Sequence, residues 1–352
     1  DYTLNTEELK IELDALVVEA GLRPFLHARC VATAVEHDQL QAVIIEDKTG
    51  RRAIKARYFI DATGDGDLAQ RAGLSTRMEA ELQPPTACAL LEGLDRLNAA
   101  NPGFELGREV FNPAHPEALR DGHLWAARLP GLDDLKMVAG TRVNKANCAD
   151  ADQLTQAEME GRRQVRRGMD ILRRFSRGNE VYLRGLPSYL GIRETRHAVC
   201  LHQVSEKELL HGQSFPDTIA HGAYPIDIHY SHQPGVTIRY LDGREIYYGQ
   251  AGTPPRHSRW RPAAEPGATF YQIPYRALVP RGASNLLVAG RLVDADPAAY
   301  GAIRVMVNCN QTGEAAGVAS FLALDQGLSV ADVSAASLRK TLRQGGSIML
   351  SA

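Results

Sequence analysis

Apolar positions near the start of the chain recur at helical spacing. Leu9, Leu13, Leu16 and Val17 follow Thr6, a suitable N-cap, and the acidic pair Glu7 and Glu8, and Gly21 ends the run. The period then shortens. Residues 24–27, 30–36 and 40–46 read as strands, turn residues 47–50 follow, and 53–62 reads as a fourth strand, so the pattern predicts an antiparallel meander feeding one buried strand. From about Ser75 to Phe270 the texture is irregular, with prolines, scattered strand candidates and one long helix over 153–177 whose apolar stripe is Leu154, Val165, Met169, Leu172 and Phe175. Residues 241–244 read as a hairpin turn and 257–267 as a proline-punctuated loop. Beyond Tyr271 regularity returns: 285–290 is a short buried strand ending in glycine, and 303–324 is a helix rich in small residues.

Charge changes the reading of the long helix. It carries Arg162, Arg163, Arg166, Arg167, Arg173, Arg174 and Arg177, yet the net charge of the chain is −2 and the run of interleaved aromatics that a nucleic-acid surface uses is lacking. A solvated basic face is expected instead, and no nucleic-acid partner. At 352 residues two intimately packed domains are expected, and 44% hydrophobic with 23% charged residues is an ordinary globular balance. No apolar run reaches the roughly eighteen residues of a membrane span, and no membrane partner is expected. Nothing at the start resembles a signal peptide. Cys30, Cys88, Cys148, Cys200 and Cys309 are dispersed with no Cys-x-x-Cys pair, which points to free thiols in a reducing, cytoplasmic setting and against a cysteine-built metal site.

The candidate chemistry starts at YFIDATGDGDLAQRAG, residues 58–73. Gly64, Gly66 and Ala69 formally match Gly-x-Gly-x-x-Ala, but a dinucleotide fingerprint also needs a second apolar strand ending in an acid about twenty positions on. The sequence after Gly73, STRMEAELQPP, offers none. Two readings stay open on local chemistry: a strand end that lets a dinucleotide approach the backbone, or an acidic turn that only caps the following helix. A second buried strand ending in glycine, NLLVAGR at 285–291, followed by AYGAIR at 299–304 opening a helix, favours a ligand, because a helix N-terminus presents free N–H donors and about half a positive charge. The turns at 63–65 and 289–291 are then expected side by side, facing one cavity.

These segments, with LQPPT, GIRETRH, GAYPIDIH, IPYRALVP, GAIRVMVNC and GEAAG, stand in an order that resembles the FAD-dependent oxidoreductases related to the flavoproteins of the fumarate reductase and glutathione reductase class. The resemblance covers essentially the whole chain. It implies an α/β (α+β) fold: an FAD/NAD(P)-binding Rossmann-like domain at 1–74 and 271–352, with an inserted mixed α+β substrate domain at 75–270. It implies FAD contacts at Val31, Thr63, Gly64, Asp65, Gly290, Arg291, Gly301, Ile303 and Arg304, with the final helix aiming its N-terminus at the isoalloxazine. The implied activity is hydride transfer between a small organic substrate and flavin N5, the alternative being a flavin-free fragment or subunit with a binding or assembly role. Relatives open with a βαβ unit whose Gly-x-Gly-x-x-Gly turn holds the FAD pyrophosphate, and no such turn occurs here. The domain is therefore expected to be incomplete at its N-terminus, to hold FAD weakly by itself, and to expose apolar surface that a second copy or a chain supplying the unit would cover. Leu292 stands where relatives often carry cysteine, so no thiol chemistry is expected there.

The substrate face is expected in GIRETRH, residues 191–197, which concentrates arginine, acid and histidine. If extended, it places Arg193, Thr195 and His197 on one face, and Glu194 and Arg196 on the other. Arginine binds carboxylates bidentately and histidine moves protons near neutral pH, so Arg193, Arg196, His197 and His229 are the expected substrate-binding and proton-transferring groups. Asp227 and His229 pair acid with imidazole on one strand face, without a third ligand that would suggest a metal.

Overall fold

The computed structural model describes residues 4–120, 123–176, 181–249 and 253–350, and it is mixed α/β. The first helix, α1 (Thr6–Glu19), is capped one residue earlier than the sequence suggests: the Asn5 carboxamide oxygen accepts from the backbone N–H of Glu7 and Glu8. None of its residues is buried. Ile11, Leu13, Leu16 and Val18 stand 51–76% exposed.

The meander forms as an antiparallel sheet of β1 (Arg29–Glu36), β2 (Gln39–Asp47) and β3 (Gly50–Lys55). Residues 24–27 are not a strand; His27 adopts φ 56°, a turn conformation that breaks extension before β1. The expected strand over 53–62 is two strands. β3 pairs with β2, whereas β4 (Phe59–Asp61) pairs in parallel with Leu286–Val288, Phe59 opposite Leu286 and Asp61 opposite Val288. Asn285 fixes the changeover. Its carboxamide accepts from the Leu40 N–H and donates to the Leu40 and Arg57 carbonyls. A chain that must serve two sheets with different directions has to break between them.

The helix Ala151–Phe175 packs Ala157, Val165, Met169 and Leu172 into a core shared with the sheet of Trp125–Arg128, Leu135–Ala139, Cys88–Glu92 and Tyr182–Gly185. Its arginines are engaged locally. Arg162, Arg163, Arg166 and Arg174 pair with Glu158, Glu160, Asp170 and Glu117, as does Arg173 with Asp170; Arg177 lies outside the described residues. Ile226–His229, Val236–Arg239, Arg244–Tyr248 and Arg256–Arg259 form a four-stranded antiparallel sheet, so the hairpin at 241–244 is present. The segment expected as a loop from 257 begins as an edge strand. Its backbone pairs with Arg244–Tyr247 although its side chains are exposed, and an exposed edge leaves no apolar signal to read.

The largest core gathers Tyr271, Ile273, Tyr275, Leu278, Leu287, Tyr300 and Ile303 around the C-terminal third. The helix expected over 303–324 is two: Pro297–Ile303 and Met306–Gln326, parted at Arg304 and Val305. In the second, Ala315, Ala316 and Ala319 are fully buried, but a Cβ on Gly313 or Gly317 would meet nothing within 4 Å. Only the alanines serve close packing. Gly313→Ala and Gly317→Ala are each expected to raise stability by about 0.5–1 kcal/mol, since alanine removes glycine's helix penalty. A fall in the urea midpoint would show instead that this face must stay bare.

Candidate active site

The two glycine turns meet. In the parallel pair of β4 and Leu286–Val288 the Ala289 N–H donates to the Asp61 carbonyl at 3.0 Å, which sets residues 63–65 beside 289–291. Gly64 and Gly290 adopt φ 78° and 67°, conformations other residues resist. The Arg291 guanidinium lies over Gly64, its Nη2 2.3 Å from where a Cβ would stand, and reaches Asp65 Oδ1 at 3.2 Å. Thr195 Oγ1 donates to the same oxygen at 2.8 Å. Arg291 Nη1 is buried without a partner among the described residues. Asp61, fully buried, is not available to a ligand. It accepts from Thr63 N and Oγ1 and from Ala69 N, and so caps the short helix α2 (Asp67–Arg71).

Other expected cofactor residues divide. Val31 falls where the register of β1 slips between Cys30 and Ala32, on the strand that packs against α2. Ile303 is buried in the main core, and Gly301 is small because the Asp227 backbone passes 2.6 Å from its Cβ position. Both serve packing here. Arg304 leaves the helix end toward Gln83 and Asp227. The helix Met306–Gln326 starts at Val305 with no side-chain cap, and Met306 and Val307 are exposed.

Residues 191–197 do not extend as one strand; only Arg196–Ala198 does, pairing with Thr76–Met78. The expected division of faces therefore fails, and Glu194 and His197 bond to each other, Oε1 to Nε2, at 3.0 Å. Both are buried. Glu194 Oε2 also accepts the Gln83 N–H, the His197 ring meets Tyr300 edge-on, and His197 Nδ1 has no partner among the described residues. Arg196 turns away from Arg193, bonding the carbonyls of Asp65 and Ala149 beside the first glycine turn.

Arg193 and His229 do come together, with Arg304, Asp227, Gln83 of the LQPPT segment, and Arg142, which no local motif announced. His229 Nδ1 receives a bond from Arg142 Nη2 at 3.0 Å and its Nε2 faces Asp227 Oδ2 at 3.1 Å, an arrangement that requires the neutral ring with its proton on Nε2. Burial pushes His229 down to about 3, with Arg193 and Arg142 adding to it against the opposing pull of Asp227. Burial alone would raise the Asp227 carboxyl, but His229, Arg304 and Arg193 hold it down at about 2. Arg304 Nη2 reaches Gln83 Oε1 at 3.1 Å and Asp227 Oδ2 at 3.4 Å. Burial, followed by the charges of Arg304 and Arg142, presses Arg193 below the usual arginine range, yet a guanidinium is basic enough to remain charged at neutral pH. Burial pushes the hydroxyl of Tyr224, which keeps part of its surface exposed, up from its usual range. Among the described residues no three His, Cys, Asp or Glu side chains form a metal-holding group. The Cys309 thiol, beside Gly290, is raised by burial, which leaves it unreactive.

The Tyr300 hydroxyl donates to the Arg193 carbonyl at 2.9 Å, and Cys309 Sγ approaches the Arg304 carbonyl at 3.2 Å. The arginine cluster thus adjoins the turn at Gly290.

A family model described as FAD dependent oxidoreductase matches residues 2–342. No curated protein matches the chain. Among solved structures, a triple mutant of the flavin-dependent brominase Bmp2 is similar at 11% identity and a TM-score of 0.41, over 97% of this chain and 60% of that one. BexE, from a study of oxidation during BE-7585A biosynthesis, is similar at 12% identity and a TM-score of 0.36, over 90% of this chain and 42% of that one. The chain therefore spans less than two thirds of the length of these structures. By the family match, the chain belongs to the FAD-dependent oxidoreductases, whose cofactor is FAD.

Proposed function

We propose that the paired glycine turns border the flavin of an oxidoreductase and that the Arg193, Arg304 and Asp227 cluster is its substrate face. One observation carries the reading: two strand ends made approachable by glycine stand side by side and share a wall, through Tyr300 and Arg304, with a buried cluster of charges. The residues present suit the cofactor. Arg291 Nη1 is a buried donor in want of an acceptor, Gly64 offers bare backbone once the mobile end of Arg291 swings aside, and the uncapped start of Met306–Gln326 presents backbone N–H groups suited to an electron-rich ring edge.

When bound, FAD supplies a two-electron acceptor or donor, here a hydride at flavin N5. The protein's share is positioning. Arg193 and Arg304 hold substrate, and the chain from Arg142 through His229 to Asp227 fixes the carboxylate that steadies Arg304. Both His229 nitrogens are committed, which makes it a positioning residue rather than a proton carrier. We read residues 1–74 and 271–352 as the cofactor side and 75–270 as the substrate side, a Rossmann-like domain with an insertion. Nothing in the site favours a flavin-free assembly role over catalysis.

The test is an FAD titration of the protein, followed by flavin fluorescence. Saturable quenching is expected, and Arg291→Ala should weaken it about tenfold, the value of one lost charge-assisted bond. Wild-type protein that gives no saturable signal would sink the assignment.

A further inference from the structure

The donors around Arg193 and Arg304 outnumber the acceptors. Arg193 uses only Nη1, which donates to the Pro84 carbonyl and Thr86 Oγ1; among the described residues its Nε and Nη2 make no hydrogen bond. Arg304 Nε is buried without a partner, and so is Nε2 of Gln83, the residue whose Oε1 already accepts from Arg304. A buried donor left unmet is costly, and several in one bonded group are not random defects. Among the described residues Asp227 is the carboxylate bonded to Arg304, and it is shared with His229. Arg193, Arg304 and Arg142 gather around it with the imidazole neutral, so guanidiniums outnumber carboxylates among the described residues of the cluster. Arg193 keeps contact with solvent, and its Nε and Nη2 are not among the buried atoms.

We propose that this cluster binds the carboxylate of a small organic acid, its two oxygens taking the free donors of Arg193 and Arg304 with Gln83 completing the set. The proposal rests on the reading of this cluster as the substrate face, and narrows the substrate from any organic molecule to a carboxylic acid. A carboxylate matches the guanidinium fork bidentately, brings negative charge to a cluster in which guanidiniums outnumber carboxylates, and relieves the repulsion between Arg193 and Arg304.

The test is calorimetric titration of the holoenzyme with benzoate and with malonate, against benzamide and malonamide, which keep the shape and lose the charge. At least one carboxylate should bind at least about tenfold more tightly than its amide. Arg193→Ala and Arg304→Gln should each remove that advantage, while Arg163→Ala, which deletes an exposed cation on the helix Ala151–Phe175, should leave it intact. Unchanged FAD affinity and an unchanged melting temperature would show that each variant is folded; Arg193→Lys serves where the alanine variant does not fold, and should keep the charge preference but lose the bidentate part of the affinity. Amides binding as well as acids, or carboxylate binding that survives both arginine changes, would overturn the proposal. Carboxylate preference without flavin binding would uphold the anion site and sink the redox reading, so the two fail separately.

Discussion

Asp61→Ala is expected to lower stability by about 1–3 kcal/mol, because it strips the acceptor from the buried Ala69 N–H, at about 1–3 kcal/mol, and, at less cost, from the donors of the exposed Thr63. Removing the buried charge returns part of that cost, which is why the sum stays below the upper bound of the separate terms. Asp61→Asn should fall between the two proteins, since one edge of the amide still accepts while the other turns a donor toward a donor. The same carboxylate holds the turn carrying Gly64 and Asp65, so FAD affinity should fall along with stability. Urea unfolding of the three proteins checks the order. An alanine variant as stable as wild type would show that the turn finds other partners, and with them another basis for its shape.

Gly301→Ala is expected to be nearly as damaging, for the opposite reason. The added carbon would sit 2.6 Å from the Asp227 carbonyl oxygen and 3.1 Å from its carbonyl carbon and nitrogen, all backbone, with no side-chain end to swing away. The helix Pro297–Ile303 must then separate from the strand Ile226–His229, at about 1–3 kcal/mol for overpacking in a core. That movement shifts Asp227 and, through it, His229 and Arg304. Loss of stability without any loss of FAD binding is the expected pattern, and it separates Gly301 from a residue that touches cofactor. Variant and wild type with equal melting temperatures would refute the close contact.

Both predictions concern residues whose type the sequence displays but whose reason it conceals. The ends of β4 and of Leu286–Val288 were legible as a pair because each repeats a short apolar run followed by a glycine, and the pattern survives more than two hundred intervening residues. The long helix was legible from its stripe. The break at Arg304 was not, because no proline or glycine stands at it and only the tertiary path turns the chain there. Arg142 was invisible for a different reason, and Gln83, although part of the LQPPT segment, was not singled out there. Each lies in irregular structure with no periodicity, and each matters only because folding carries it to Arg304 or His229. His197 was overread: a histidine beside arginines suggests chemistry, but whether it faces a ligand or a buried glutamate three residues away depends on a bend that alternation cannot foresee.

The bare surface of α1 has a consequence in time rather than in free energy. A single helix of 14 residues is marginal in water when no tertiary contact holds it, and here no side chain of α1 is buried. Its amides should therefore exchange with deuterium through local fraying, orders of magnitude faster than those of the buried strand Leu286–Val288, which can open only when the whole core does. Protease should find its first cut in the same place, and whatever molecule comes to lie against Ile11, Leu13 and Leu16 would be recorded as a slowing of that exchange before any other change in the protein could be seen.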